Sequence, residues 1–168
     1  MSIKSFSPKR DGILVEIKDF LTPLQVIVGV RATNKTRLLR ELGRRAAVAL
    51  GLNEDVVTSA LLKREALGST GTGAGIAIPH ARLEGIARPF GILVRLAKPI
   101  DFEAIDGLPV DLVFLLLLPA EPQGEQLNAL ACAARMLRDP QIVRDLRRAP
   151  DDAALYRAAV ENPTRPTS

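Results

Sequence analysis

A chain of 168 residues with 47% hydrophobic and 25% charged side chains has the composition of one ordinary globular domain. Without tryptophan and with one tyrosine it has little to stack on nucleic acid, and one cysteine with one histidine excludes a disulfide within the chain and the common metal clusters. The net charge of +4 is spread over short pairs such as Arg44-Arg45 and Arg147-Arg148, which is typical of solvated helix faces, with a basic docking surface for an acidic partner as the alternative. We therefore expect no metal, no cofactor and no nucleic-acid partner.

The two ends of the chain and its longest apolar run indicate the bounds of the domain and the cellular location of the protein. Residues 1–12 are polar and basic, and residues 162–168 are polar with prolines, so we expect loose tails on either side of one domain at 13–161. The start of the chain has no basic segment followed by an apolar run, which argues against a signal peptide. The apolar run at 110–118 is too short to span a bilayer and contains Asp111. We expect a cytoplasmic protein without membrane insertion.

The first half of the chain predicts one strand and two helices. The β-branched run at 26–30 predicts a strand. A helix should follow, capped by Asn34 and stopped by Gly51, and a second should begin after Asn53 and end near Leu67. Spacing predicts the inward positions of the two helices, which are Leu38, Leu39, Leu42, Ala46, Ala49, Leu50, Val56, Val57, Ala60 and Leu61.

The second half predicts three strands and three helices. Strands are expected at 75–78, 89–96 and 110–118, the last of them central because it is apolar almost throughout. Helices are expected over 123–138, after Asp139-Pro140 and after Pro150-Asp151, and the first of these should turn inward Leu127, Leu130, Ala131, Ala134 and Leu137. Helices before and after the strands predict an α/β fold, a three-layer α/β/α sandwich with a mixed β-sheet.

The most informative segment is a glycine-rich loop, residues 68–80, which ends on the single histidine, His80. Its glycines permit positive φ, and successive N–H groups in such turns bind anions. Ser69 and Thr70 add hydroxyl donors, and Arg64 precedes the loop as a fixed positive charge. These features indicate a phosphoryl site with His80 as nucleophile. A surface loop beside a structural histidine accounts for the same spacing equally well.

Three familiar motifs do not fit this loop. Walker A requires a lysine that the loop lacks, the dinucleotide fingerprint requires a glycine where Ile76 stands, and the hydrolase elbow requires a glycine where Leu67 stands. The sequence thus argues against a nucleotide site of either kind.

The string G-S-T-G-T-G-A-G-I-A-I-P-H at 68–80 resembles the signature of a known family. With Arg64-Glu65 before it and P-I-D-F-E-A-I-D-G at 99–107 after it, the chain is similar to the fructose/mannitol-type enzyme IIA domains of the bacterial phosphoenolpyruvate-dependent phosphotransferase system. The similarity is greatest to the nitrogen-regulatory branch and runs over roughly residues 15–160.

This resemblance implies a set of roles. His80 would accept a phosphoryl group from the phosphohistidine of a small histidine-phosphocarrier protein of the nitrogen branch. Arg64 would stabilise the phosphoryl charge, and Ser69, Thr70 and Gly71 would line the phosphate pocket. Phosphorylation would then control binding to regulated targets such as kinases or transporters, since it changes the charge of the surface around His80.

The sequence departs from the family at two positions. Many relatives have a second histidine at the start of the helix after the long apolar strand, and Gln126 stands there in this chain. Glutamine can donate a hydrogen bond to a phosphate oxygen but cannot become cationic, so we expect slower transfer or a less stable phosphoform. Ala74 stands where relatives often have asparagine, which removes a local side-chain hydrogen bond from the loop.

Two other functions compete with the phosphocarrier. Gln126 favours a binding or regulatory module of the same fold that is weakly phosphorylated or not phosphorylated at all. A hydrolase that uses Ser69 and His80 is the third hypothesis, and no elbow motif supports it.

Overall fold

The computed structural model describes residues 15–121 and 124–161, with side chains described from residue 128 onward in the second range. The expected tails at 1–12 and 162–168 lie outside the described residues, and so does the side chain of Gln126. Among the described residues, no helix has both the length and the apolar character needed to cross a membrane.

Six strands form one mixed sheet in the order β1-β5-β6-β3-β2, with β4 also paired to β6. The β5/β6 and β2/β3 pairs are antiparallel, while β1/β5, β3/β6 and β4/β6 are parallel. Strands β3 and β4 therefore lie one after the other along the same edge of β6. The strands are β1 (Val26–Val30), β2 (Gly71–Gly73), β3 (Ile76–Ala77), β4 (His80–Leu83), β5 (Phe90–Ile100) and β6 (Val110–Pro119).

Helices cover both faces of this sheet, which confirms the three-layer α/β/α sandwich. Alternate residues of β6 face opposite cores, since Leu115 is buried with the first two helices and Phe114 with the last three. Two short 3-10 helices, Ile17–Asp19 and Pro23–Gln25, precede β1. The helices are α1 (Lys35–Leu50), α2 (Glu54–Leu67), α3 (Gly124–Met136), α4 (Pro140–Arg148) and α5 (Asp152–Val160).

The helix ends lie where the capping residues predicted them. The side-chain oxygen of Asn34 accepts a hydrogen bond from the Arg37 N–H, and that of Asn53 accepts from two N–H groups of the first turn of α2. Gly51 ends α1 in the left-handed conformation with φ of 70°. Asp139 and Asp151 cap α4 and α5 in the same way.

Several predicted details are wrong. The segment expected to be a loop up to His80 contains strand β2 and ends where β4 begins, and β5 continues to Ile100 instead of ending at Leu96. Three positions expected to be buried are exposed, because a wide apolar stripe does not fix by periodicity alone which of its residues face the core. These are Ala49, Val56 and Ala131, and the buried positions of α3 include Ala129 and Ala133 instead.

Candidate functional site

The single histidine begins strand β4, at the edge of the sheet opposite Leu116 of β6. His80 is half-buried, and its ring Nδ1 lies 2.9 Å from the carbonyl oxygen of Ile78. A carbonyl oxygen only accepts hydrogen bonds, so Nδ1 carries the proton and donates it. In the neutral ring this leaves the lone pair on Nε2, which is the nucleophilic nitrogen.

The carbonyl that holds His80 is itself fixed by the connection between β3 and β4. The Ile78 N–H donates to the Thr70 carbonyl over 3.0 Å, and the Pro79 carbonyl accepts from the Leu116 N–H over 2.9 Å. Pro79 has no N–H of its own, so this short link needs no further backbone acceptor. The tautomer of His80 is thus set by a segment bonded on both sides.

A buried carboxylate anchors the other end of this chain of hydrogen bonds. Glu65, which is 8% exposed, accepts from the Thr70 N–H at 2.8 Å and from the Thr70 hydroxyl at 2.6 Å. The ammonium of Lys35 lies 3.0 Å from Glu65 and 2.9 Å from Glu103. We call Lys35, Glu65, Thr70 and Ile78 the Glu65 network. It leads from α1 to the Nδ1 nitrogen of His80.

Lys35 is charged in this network. Burial alone would lower the pKa of its ammonium, but hydrogen bonds from it to Glu103 and Glu65 outweigh that effect and raise the pKa above the ordinary value. The buried Glu65 therefore faces a permanent positive charge, which a carboxylate at this depth requires.

The three loop residues expected to bind phosphate use their donors within the protein. The Ser69 hydroxyl donates to the Phe102 carbonyl at 2.7 Å, and the Gly71 N–H donates to the Ser69 oxygen at 3.0 Å. Both donors of Thr70 point to Glu65. These residues form the stem of the loop in this structure. This geometry also argues against the hydrolase hypothesis, because the Ser69 hydroxyl donates its hydrogen bond to the Phe102 carbonyl and not to His80.

A cavity of about 750 Å³ opens beside His80, between α2, β4 and α3. The structure brings Arg64 to this cavity with His80, and the Arg64 guanidinium is held by the Gly68 carbonyl at 2.9 Å. Two further cations that the sequence reasoning missed, Lys63 and Arg82, line the same cavity. Arg82 could have been found from its spacing, because residues two apart on a strand point to the same side.

The structure describes the backbone of Gln126 but not its side chain. It belongs to helix α3, four residues before Leu130, which lines the His80 cavity. The side chain lies outside the described residues, so the role expected of Gln126 stays a prediction.

Burial and a neighbouring cation keep the His80 ring neutral. Burial lowers the pKa of the ring below its ordinary value of 6.5, and the positive charge of Arg64 lowers it further. The Ile78 carbonyl and Glu65 act in the opposite direction and do not cancel the effect. A ring that stays neutral at physiological pH keeps its Nε2 lone pair available.

The lowered pKa predicts how stability changes with pH. The unfolded ring binds a proton near 6.5, whereas the folded ring binds one only at lower pH. The contribution of the neutral His80 ring to the free energy of unfolding is therefore complete above pH 6.5. It is lost as the pH falls toward the pKa of the folded ring. Urea titrations across this range should show the wild-type free energy of unfolding falling more steeply than that of His80→Gln. Parallel curves would contradict the assignment of a lowered pKa.

Two glycines at the start of the loop differ in how much room they leave for an alanine side chain. A Cβ on Gly71 would lie 2.8 Å from the Ala104 Cβ and 3.0 Å from its Cα, so the loop would have to move from the 101–109 segment. We expect Gly71→Ala to lower the free energy of unfolding by roughly 1–3 kcal/mol. Gly68→Ala is the matched control, because nothing lies within 4 Å of its added Cβ. Equal denaturation midpoints for the two variants would refute the tight contact.

The described residues hold no group of three or more histidine, cysteine, aspartate or glutamate side chains placed to bind a metal ion. The groups that the structure places along the His80 cavity are an imidazole and three cations. A nucleophilic nitrogen with three cationic side chains along its cavity suits the transfer of a group that carries negative charge.

A family model and several curated proteins are similar to this chain. The model described as "Phosphoenolpyruvate-dependent sugar phosphotransferase system, EIIA 2" matches residues 19–161. The nitrogen regulatory protein of Bradyrhizobium diazoefficiens is 45% identical over 140 residues, which are 83% of this chain and 92% of that one. The nitrogen regulatory protein of Escherichia coli K12 is 44% identical over 138 residues, covering 82% and 85% of the two chains.

Solved structures share the fold. The crystal structure of nitrogen regulatory protein IIA-Ntr from Neisseria meningitidis matches with a TM-score of 0.78 at 32% identity, over 86% of this chain and 99% of that one. Enzyme IIA of the mannitol system of Escherichia coli, in a complex with phosphorylated enzyme IIB, matches with a TM-score of 0.66 at 18% identity, over 79% and 92% of the chains. At that identity the second match shows the fold alone.

Proposed function

The chain belongs to the EIIA 2 family of the phosphoenolpyruvate-dependent sugar phosphotransferase system, and from this premise we propose that it is a phosphocarrier with His80 as its phosphorylated residue. The observation that carries the proposal is the 2.9 Å hydrogen bond from Nδ1 to the Ile78 carbonyl, which leaves Nε2 unprotonated beside the cationic cavity. The proposed donor is the phosphohistidine of a small histidine-phosphocarrier protein of the nitrogen branch, which places the protein in the cytoplasm.

The transfer step follows from this geometry. Nε2 attacks phosphorus in line, the new P–N bond forms on His80, and the old P–N bond breaks with its electron pair returning to the donor ring. No proton has to leave His80, because Nδ1–H stays bonded to Ile78. The transition state spreads negative charge over the equatorial oxygens, which Arg64, Lys63 and Arg82 are placed to offset.

The roles proposed for the loop residues differ in kind. Arg64 is proposed to contact the phosphoryl group, since it lines the cavity with His80. Ser69, Thr70 and Gly71 are proposed to contribute to phosphate binding through the loop that they hold in place, and a direct contact would require them to exchange their present partners.

We further propose that the phosphorylation state controls regulated target proteins, such as kinases or transporters. The phosphoryl group would convert a cationic cavity rim into a mixed or negative one, which changes the partners that this surface attracts. The name "nitrogen regulatory protein" of the similar proteins supports a regulatory role.

The experiment that tests the proposal is transfer in a purified system. The protein is mixed with phosphoenolpyruvate, enzyme I and the histidine phosphocarrier, and the adduct is examined for stability. An acid-labile, alkali-stable phosphoryl group on this chain is the expected result. No adduct with fully active upstream proteins would favour the second function, a binding module of the same fold that has lost efficient phosphorylation.

Gln126 distinguishes the two functions further. We expect Gln126→His to lengthen the lifetime of the phosphoform or to speed transfer by roughly tenfold, because a charge-assisted hydrogen bond is about twice as strong as a neutral one. Single-turnover transfer and the decay of the isolated phosphoform measure the two effects. If neither changes, this position is not a neighbour of the phosphate.

A further inference from the structure

A second cavity, separate from that of His80, runs between the β2–β3 hairpin and helices α3 and α4. It measures about 840 Å³, and we call it the arginine groove. Ile76, Ile78 and Leu137 form its buried floor, while Val143 is half-buried and Ile105 at its edge is 85% exposed. The groove thus has an apolar base with uncovered apolar surface beside it.

Four arginines line the groove: Arg138, Arg144, Arg147 and Arg148. Arg147 is already used, because it pairs with Asp111 at 2.7 Å and donates to the Ala74 carbonyl at 2.8 Å. The other three are exposed and form no ion pair with any residue in the described ranges.

Asp106, the acidic residue in the groove lining, forms no ion pair with these arginines in the described part of the chain. Asp106 accepts hydrogen bonds from the N–H groups of Ala74 at 2.8 Å and Leu108 at 3.1 Å. Arg144 bonds the neutral amide of Gln141 and so keeps its full charge. The groove therefore combines an apolar base with a positive rim whose arginines, apart from Arg147, have no ion-pair partner in the described ranges. This is the basic docking surface that the arginine pairs in the sequence allowed as an alternative to solvated helix faces.

We propose that the arginine groove docks an acidic amphipathic helix of a regulated target protein. Arg144 and Arg148 lie one turn apart on α4, so they match acidic side chains spaced four residues apart on a facing helix. The apolar face of that helix would cover Val143 and Ile105. The chain has one tyrosine and no tryptophan, which disfavours single-stranded nucleic acid as the occupant.

The groove and His80 share one residue, Ile78. The link to regulation rests on the proposed function, in which His80 is phosphorylated. Ile78 lines the groove, and its carbonyl holds the Nδ1 of His80. A helix seated on Ile78 therefore contacts the residue that orients the histidine, while its acidic groups bind arginines outside the His80 cavity.

The test uses a synthetic amphipathic helical peptide with leucines on one face and glutamates four residues apart beside them. A second peptide has glutamine at every glutamate. Binding to the full chain is measured by fluorescence anisotropy and by shifts of the backbone amide resonances. We expect saturable binding of the glutamate peptide, with shifts at the groove, and at least about tenfold weaker binding to the double variant Arg144→Glu, Arg148→Glu.

The control variant is Arg40→Glu, Arg157→Glu, which makes the same change of charge at exposed positions on α1 and α5. It should bind the glutamate peptide within about twofold of the wild type. Equal binding of both peptides, equal losses in the two variants, or displacement by a single-stranded oligonucleotide at equal concentration would overturn the proposal. So would a dimer that only the groove variant disrupts, because the occupant would then be a second copy.

Transfer to His80 is measured on the same samples. Phosphorylation without peptide binding would reject the docking proposal alone. Peptide binding without phosphorylation would reject the phosphocarrier proposal alone.

Discussion

His80→Ala is expected to abolish phosphorylation completely. The chain has one histidine, so no other side chain can carry a phosphohistidine. The substitution removes one hydrogen bond to the Ile78 carbonyl from a half-buried position, and the free energy of unfolding should fall by only about 1 kcal/mol. The loss is measured with labelled phosphoenolpyruvate in the purified transfer system, beside a circular dichroism spectrum of the variant.

The structure also predicts the atom that is phosphorylated. Nδ1 donates to Ile78, so the phosphoryl group should reside on Nε2, with the Nδ1 proton retained. Nitrogen NMR of protein labelled at the imidazole distinguishes the two phosphohistidines. A phosphoryl group on Nδ1 would contradict the geometry, because it would require His80 to break its bond to Ile78 and turn its ring.

His80→Gln is the matched variant for this experiment. Its amide is polar and uncharged like the neutral imidazole, yet it has no nucleophilic nitrogen. It should keep the wild-type fold and show no phosphoryl adduct. A folded His80→Gln protein that still became labelled would place the phosphoryl group on another residue.

Much of the fold could be predicted because its helices are bounded by local signals. Asn34, Gly51 and Asn53 act on neighbouring backbone groups, and the apolar run of β6 identifies the central strand. Strand β3 lies within the strand expected at 75–78, but β2 and its pairing with β3 could not be predicted, because distant residues hold this hairpin. Ala74 turns the hairpin with φ of 58°, and Asp106 and Arg147 bond its backbone across the fold.

The sequence predicted that His80 and Arg64 lie together, but not the residues that hold them in place. His80 and Arg64 line one cavity, as expected for residues that act together. Glu65 belongs to the sequence motif, yet the motif alone indicates no role for it. It lies four residues after the buried Leu61 on α2, so its position on the buried stripe was a readable signal of an anchored carboxylate. Its partners Lys35 and Thr70 come from other segments and had no such signal.

Glu65→Ala is expected to cause the largest loss of stability of any single substitution in the site. It would leave the half-buried ammonium of Lys35 and both donors of Thr70 without their buried acceptor. Removing one partner of a buried ion pair costs roughly 3–5 kcal/mol, and urea denaturation should show a loss in the free energy of unfolding of that size. Glu41→Ala is the control, because Glu41 also binds two cations, Arg44 and Arg45, but at the surface. It should cost at most about 1 kcal/mol.

Glu65→Gln separates the structural role of this residue from its effect on His80. Glutamine keeps one acceptor oxygen but cannot accept both hydrogen bonds from Thr70, so the Thr70–Ile78 link should loosen while the protein stays folded. We expect slower single-turnover transfer, by roughly tenfold, and faster solvent exchange of the His80 Nδ1 proton in the NMR spectrum. Wild-type transfer and exchange in a measurably less stable Glu65→Gln protein would show that the network supports the fold without orienting the histidine. If transfer and exchange both change, the hydrogen bonds from Glu65 through Thr70 and Ile78 determine which nitrogen of His80 reacts. These residues would then orient the histidine without contacting the phosphate.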